Sequence, residues 1–121
     1  MKLIQASKID MTHFAVIKMK SGDPVFHEGE LIGLSLNTVK NIDLSKHVLM
    51  GWEVPLYSKI QILVEGEVFI RLPKSWKLPK YQKLYANKNR KITWRRTEFK
   101  VGKTLLEQNE DGYCKIRVDI R

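Results

Sequence analysis

Cysteine is almost absent from this chain of 121 residues, because Cys114 is the only one. A single thiol excludes an internal disulfide and any zinc site built from several cysteines. No apolar run approaches the roughly 20 residues that a membrane-spanning helix needs, so we expect no membrane association. Residues 1–8 (MKLIQASK) contain no continuous apolar stretch. This predicts that the chain has no cleaved signal peptide and folds in a reducing cytoplasm.

Acidic residues are scarce relative to basic ones. The chain has 22 Lys and Arg against 13 Asp and Glu, a formal net charge of +9, and this excess is unevenly spread. Residues 71–103 contain twelve basic residues and one acid, Glu98, so this segment has a net charge of +11 while the remainder has −2. Such a concentration of positive charge predicts a polyanion or an acidic protein surface as the partner.

Sustained helical periodicity is also lacking, and apolar residues alternate with polar ones instead. Period two is clearest in residues 115–121 and again in residues 60–72, where we expect a half-buried strand or a hairpin with a bulge at Gly66. Residues 14–19 are interpreted as a further strand. A tight connection at residues 27–30 joins two short apolar segments and predicts a β-hairpin.

Glycine, proline and asparagine occur where these strands should end, in residues 21–24, 87–90 and 109–112. Residues 38–50 fit either one short helix or a long loop. The pattern predicts a mainly β fold, a small β-barrel or sandwich of short antiparallel strands with at most one short helix.

The length and the mean hydropathy of −0.31 fit one soluble domain. Residues 14–121 are therefore predicted as a single β domain. Residues 1–13 are predicted as an N-terminal arm or a first strand.

Groups that could perform catalysis do not converge anywhere in the sequence. Residues 27–30 (HEGE) lack the second histidine of a metalloprotease helix, and the three histidines have no metal-ligand spacing. No Gly-x-Ser-x-Gly motif and no phosphate-binding glycine loop occurs. Cys114 fits a small strand residue better than a reactive thiol. We expect neither an enzyme nor a bound metal or cofactor.

Aromatic residues are interleaved with the basic ones in residues 71–103. Phosphates need cations and bases need flat partners, so this combination is typical of a groove for single-stranded nucleic acid, with Trp76 or Tyr81 exposed. The ordinary alternative places the rings in the core and leaves the lysines on a solvated face. The same charge would equally serve docking to an acidic protein lattice.

Four blocks of the chain, taken in order, resemble the small capsid cement (decoration) proteins of tailed bacteriophages. The first block is residues 21–25 (SGDPV) with residues 30–36 (ELIGLSL), and the second is residues 60–73 (IQILVEGEVFIRLP). The third is residues 82–86 (QKLYA) with 91–94 (KITW), and the last is residues 101–105 (VGKTL) with 111–118 (DGYCKIRV). The blocks cover roughly residues 14–120. The chain departs from the family pattern in having no glycine before the third block and in being more basic.

The resemblance implies a structural virion protein that is made in the host bacterial cytoplasm, binds the outer surface of a phage capsid and stabilises the shell. Its partner would be the lattice of the major capsid protein, with a homo-oligomer on the capsid as a further expectation. From the charge we assign the docking surface to Arg71, Lys74, Trp76, Lys77, Lys80, Lys83, Arg90, Lys91, Arg95 and Arg96. The alternatives are a single-stranded nucleic-acid-binding β-barrel and another virion component, such as a head–tail connector or tail-tube subunit.

Overall fold

The structure is a computed structural model that describes residues 1–15, 19–38, 47–49, 52–54 and 58–120. The prediction of a mainly β fold is confirmed. The strands are β1 (Lys2–Ala15), β2 (Pro24–His27), β3 (Glu30–Ser35), β4 (His47–Leu49), β5 (Trp52–Val54), β6 (Ser58–Arg71), β7 (Lys83–Ala86), β8 (Ile92–Thr93), β9 (Phe99–Thr104) and β10 (Tyr113–Asp119). A single 3-10 turn, η1 (Lys74–Trp76), is the helical element within these ranges.

Within the described residues, eight strands form one antiparallel sheet that curls into a nearly closed barrel. The strand order is β2-β3-β6-β10-β9-β7-β8, with β1 added beside β6, while β4 and β5 form a separate hairpin. The two arms of the sheet meet over the core, where the rings of Phe26 and Phe99 pack edge to face with their centroids 4.9 Å apart. At the seam, the Lys91 ammonium lies 3.7 Å from the Asp23 carboxylate.

The long strand β6 connects the two arms of the barrel. Leu63 lies opposite both Ile9 of β1 and Leu34 of β3. Gly66 lies opposite both Ala6 of β1 and a residue of β10. Since a strand has only two edges, β1 occupies one edge of β6, and β3 and β10 divide the other.

A bulge in β6 changes which side chains face the core. Between the pairs Lys8–Glu65 and Ile9–Leu63, β6 has one residue more than β1, so the odd-numbered Leu63 and the even-numbered Val68 both pack in the main core. The segment is thus one continuous strand, not a hairpin. A Cβ on Gly66 would lie 2.3 Å from the Gln5 carbonyl oxygen, so glycine is needed where β1 approaches closely.

The core fills the barrel with side chains from the alternating positions that the sequence indicates. β10 is the clearest case, because its residues are alternately buried and partly exposed. The fully or largely buried apolar residues of the main cluster are Leu34, Leu63, Val68, Ile70, Leu72, Leu78, Leu84, Ala86, Ile92, Val101, Cys114, Ile116, Val118 and Ile120. A smaller cluster contains Met19, Val25, Ile60 and Ile62.

The predicted turns are confirmed. β2 and β3 are joined by Glu28 and Gly29, whose φ values of 51° and 79° are those of a type I′ turn, the connection that suits the twist of a two-residue hairpin. The Asn87 side-chain oxygen accepts hydrogen bonds from the backbone of residues 89 and 91 in the β7–β8 turn. Asn109 does the same for residues 111 and 113 before β10.

Residues 38–50 differ from the prediction of a short helix or a long loop. His47–Leu49 form β4, which pairs with Trp52–Val54; residues 39–46 and 50 lie outside the described part of the chain. The region expected to be an arm or a first strand lies in β1. Of the strand predicted at residues 14–19, residues 14–15 end β1, residue 19 is a bridge, and residues 16–18 are not described.

Candidate docking surface

The loop between β6 and β7 contains four of the ten residues assigned to docking. Lys74 and Trp76 lie in η1, and Lys77 follows it in a left-handed conformation (φ 49°). Lys74, Lys77 and Lys80 are exposed, while Trp76 is partly buried and packs against the main core. The loop therefore presents its ammonium groups to solvent and directs its tryptophan inwards.

Gln108 attaches this loop to the connection between β9 and β10. Its amide nitrogen donates to the carbonyl oxygens of Leu72 (3.1 Å), Pro73 (3.2 Å) and Gly112 (3.0 Å). Its amide oxygen accepts a hydrogen bond from the Leu78 backbone at 3.0 Å. These bonds tie the loop to the adjoining connection at several points, which limits the positions that its lysines can take.

Arg90, Lys91, Arg95 and Arg96 lie elsewhere, at the β7–β8 turn and just after β8. Arg71, Trp76 and Lys91 line one pocket, but the turn is at the opposite end of β7 from Lys80, so the structure brings only part of the ten predicted residues together. All four are exposed, but Lys91 contacts Asp23 across the barrel seam. The Arg95 guanidinium lies 5.7 Å from the centroid of the Trp94 ring, which is 43% exposed.

Lys83 belongs to a different group, which the sequence did not reveal. In the sheet it lies directly opposite Lys103 of β9, and Lys103 lies directly opposite Arg117 of β10. These three residues, here called the cationic row, cross three neighbouring strands on the outer face of the barrel. Lys100 and one acid, Asp119, line the same shallow groove. The sequence indicated this group only through the charged residues that alternate with apolar ones in β10. The register of the strands shows which charges become neighbours.

Tyr81 connects the β6–β7 loop to the cationic row. Its ring is 59% exposed, with the Lys80 ammonium 4.9 Å and the Lys103 ammonium 5.4 Å from the ring centroid. Both distances are within the range of a cation–π contact. The seven residues Lys74, Lys77, Lys80, Tyr81, Lys83, Lys103 and Arg117, together with Lys100, are here called the cationic surface.

Buried Thr104 determines the orientation of Tyr81. The Thr104 hydroxyl donates to the Pro79 carbonyl at 2.7 Å and accepts from the Gln82 backbone at 2.8 Å. The Tyr81 backbone in turn donates to the Thr104 carbonyl at 3.0 Å. Tyr81 has φ 66°, a left-handed conformation that costs a non-glycine residue free energy and persists where surrounding contacts impose it. These bonds direct the ring outwards.

Acidic residues border the cationic row on the side of β6. Glu67 lies directly opposite Arg117, and a carboxylate oxygen of Glu65 lies 2.9 Å from the Arg117 guanidinium. Arg117 is therefore already partly neutralised, and the net positive charge of the row is concentrated at Lys83 and Lys103.

Reactive groups do not gather in the described part of the molecule. Among the described residues, no three His, Cys, Asp or Glu side chains are placed to bind a metal ion. Cys114 is buried, its thiol lies 3.5 Å from the Leu106 carbonyl oxygen, and burial raises its pKa above the usual value. His27 is exposed in the β2–β3 turn, 3.7 Å from Glu28. No helix in the described ranges is long and apolar enough to cross a membrane.

Comparison of the chain with protein-family models, with curated proteins and with solved structures gives no match.

Proposed function

We propose that this chain is a structural virion protein that binds the outer surface of a tailed-phage capsid and stabilises the shell. The observation that carries the proposal is the cationic surface on the outside of the barrel, where Lys80 and Lys103 both lie against the Tyr81 ring and Lys103 pairs with Lys83 and Arg117 across the sheet. A charged outer face on a β domain is suited to docking on an acidic protein lattice, because complementary charge speeds encounter and selects the orientation. The sequence resemblance supplies the identity of that lattice.

The position of the four resembling blocks also supports this proposal. They fall in order on the β2–β3 hairpin, on β6, on the β7–β8 hairpin and on β9 with β10, so the resemblance covers the strands of the eight-stranded sheet other than β1. Binding at many equivalent lattice sites lets modest individual contacts add up to a large stabilisation of the assembled shell. The protein would be made in the host cytoplasm and lie on the exterior of the virion.

Co-sedimentation with capsids of the parent phage that lack the protein tests this proposal. We expect saturable binding that survives an excess of single-stranded DNA. A variant with Lys74, Lys77 and Lys80 changed to glutamate should lose occupancy. The matched control changes three exposed lysines away from the cationic surface, Lys2, Lys20 and Lys88, by the same charge. If the wild-type protein does not bind capsids, the proposal is wrong.

A second candidate function is binding of single-stranded nucleic acid, and the exposure of Tyr81 and Trp94 favours it. Exposed rings beside cations are the components of a sequence-tolerant stacking platform. This function predicts tight binding to oligothymidylate that weakens steeply with salt, because each phosphate contact releases counterions. It also predicts that Tyr81→Ala weakens DNA binding, whereas the capsid proposal predicts weak and unsaturable DNA binding for the wild type.

A further inference from the structure

The cationic row places like charges directly opposite one another in the sheet. Lys83 faces Lys103, and Lys103 faces Arg117, although like charges in directly opposed positions destabilise a sheet. Lys83, Lys100 and Lys103 are exposed, so their ammonium groups are available to a ligand. The free protein thus contains unfavourable contacts between like charges that a bound anion would relieve.

The geometry of the row indicates what kind of anion fits. Neighbouring strands are 4.7–4.9 Å apart, so three cations on three strands span about 10 Å. Side chains at positions i, i+3 and i+7 of an α-helix lie on one face, and they span about 10 Å at 1.5 Å per residue. Three alternate residues of a strand span about 13 Å, which matches the row less well.

We propose that the cationic row binds carboxylates presented on one face of an acidic helix of a protein partner. This inference rests on the proposed docking to an acidic protein surface and specifies the part of that surface that is recognised. Glu67 and Glu65 close the β6 end of the row, so the acidic helix lies with its carboxylates towards Lys83 and Lys103.

The surroundings of Tyr81 favour carboxylates over nucleic acid at this site. The Tyr81 ring is exposed, but the ammonium groups of Lys80 and Lys103, 4.9 Å and 5.4 Å from its centroid, compete with a stacked base for its faces. The ring therefore contacts cations of the same surface. In this arrangement it positions Lys103 at the centre of the row.

Two synthetic peptides of identical composition test the inference. Both are helical, but one has glutamates at i, i+3 and i+7 on one face and the other has them spread around the helix. We expect the full-length protein to bind the one-faced peptide about tenfold more tightly at low salt, because several ion pairs form together. Fluorescence anisotropy with labelled peptides measures this preference, and labelled oligothymidylate is titrated in parallel.

Charge-reversal variants assign the preference to the row. Lys103→Glu should abolish it, and Lys83→Glu provides a second variant if the first is not folded by circular dichroism. Lys88→Glu is the control, since it makes the same charge change at an exposed residue of the β7–β8 turn, and it should retain the preference. Any one of three results would overturn the inference. The protein could bind the two peptides with equal affinity, or the preference could fall equally in Lys103→Glu and Lys88→Glu. It could also bind oligothymidylate more tightly than the one-faced peptide.

Capsid binding separates this inference from the proposed function. If the wild-type protein prefers the one-faced peptide but does not sediment with capsids, the inference about the cationic row is correct and the capsid proposal is wrong. If the protein sediments with capsids and Lys103→Glu sediments as well as Lys88→Glu, the capsid proposal stands and the row is not the docking site.

Discussion

Replacing Thr104 with valine tests whether this buried hydroxyl holds the β6–β7 loop in place. Valine has nearly the same shape and suits a strand, so the change removes the hydroxyl and leaves packing intact. The hydroxyl bonds the Pro79 carbonyl and the Gln82 backbone amide, and both groups lose their partner in the variant. We expect a less stable protein whose loop is no longer fixed beside β9.

The size of the effect follows from the burial of the two groups. A buried donor left without a partner costs about 1–3 kcal/mol, and this applies to the amide of the half-buried Gln82. Pro79 is exposed, so its carbonyl reaches water at a smaller cost. Replacing a hydroxyl with a methyl group in the core returns ~0.8 kcal/mol. With the middle of the range for the amide and a smaller cost for the carbonyl, the net loss in the free energy of unfolding is about 1–2 kcal/mol.

Equilibrium urea unfolding, followed by tryptophan fluorescence and by circular dichroism, measures this loss. Thr93→Val is the matched control, because its hydroxyl accepts one 3.2 Å bond from an exposed backbone amide, and we expect a change within about 0.5 kcal/mol. Thr104→Val should also weaken binding to the acidic surface, since the hydroxyl bonds to Pro79 and Gln82, on either side of Tyr81, are lost. Equal stabilities of the two variants would refute the assigned role of Thr104.

Three further changes have defined outcomes. Gly102→Ala would place a Cβ 1.8 Å from the Arg117 carbonyl oxygen, whereas the Cβ of Gly29→Ala would meet nothing within 4 Å. Urea unfolding should show a loss in unfolding free energy of about 3 kcal/mol or more for Gly102→Ala and of about 1 kcal/mol for Gly29→Ala, where the turn is strained. The reverse order would contradict the strand pairing. Burial raises the pKa of the Cys114 thiol, so the native protein binds the thiol proton more tightly than the unfolded protein does. Stability should therefore fall as the pH rises above the usual thiol pKa. This decline should disappear in Cys114→Ala, and a decline that persists in the variant would belong to another group. Glu65→Gln removes the partner of Arg117 in a 2.9 Å ion pair, so the free energy of unfolding should fall by roughly 0.5 kcal/mol after allowance for solvent screening. Binding to acidic peptides should tighten in this variant. Weaker binding would show that the Glu65 charge does not oppose the cationic row.

The strands with long alternating patterns were predictable, and the short ones were not. In β10 the alternation runs for seven residues and matches the burial of its side chains, because period two leaves one face of a half-buried strand apolar. β4 and β5 are three residues each, too short to show a period. Each of these strands exists through its pairing with the other, which the sequence does not show, so the sequence predicted only a loop or a short helix.

The docking residues were predicted from a contiguous stretch, but a sheet joins residues that are distant in sequence. Lys83 was assigned to the docking surface from the sequence, and its neighbours Lys103 and Arg117 were not, since their proximity follows from strand register. Register depends on turn geometry and on bulges such as the one between Leu84 and Tyr85. Composition shows neither of these.

The two rings of the β6–β7 loop show why exposure could not be assigned from sequence. Trp76 and Tyr81 each have one adjacent lysine and another two residues away, and each lies near a proline. Their difference arises in three dimensions: Trp76 packs against the core, whereas bonds to Thr104 impose the backbone that turns Tyr81 outwards. Thr104 is more than twenty residues away, so no local pattern could contain this information.

The barrel separates the residues that stabilise it from those that would bind a partner. In β9 and β10, Thr104, Ile116 and Val118 are buried, while Lys103 and Arg117 alternate with them on the outer face. Surface substitutions usually change stability by less than about 0.5 kcal/mol. Reversing the charge of Lys103 removes its contact with Tyr81, which lowers stability, and removes repulsion from the two opposed cations, which raises stability. A charge reversal there should therefore leave the unfolding midpoint nearly unchanged, and a loss of binding can be attributed to the charge itself.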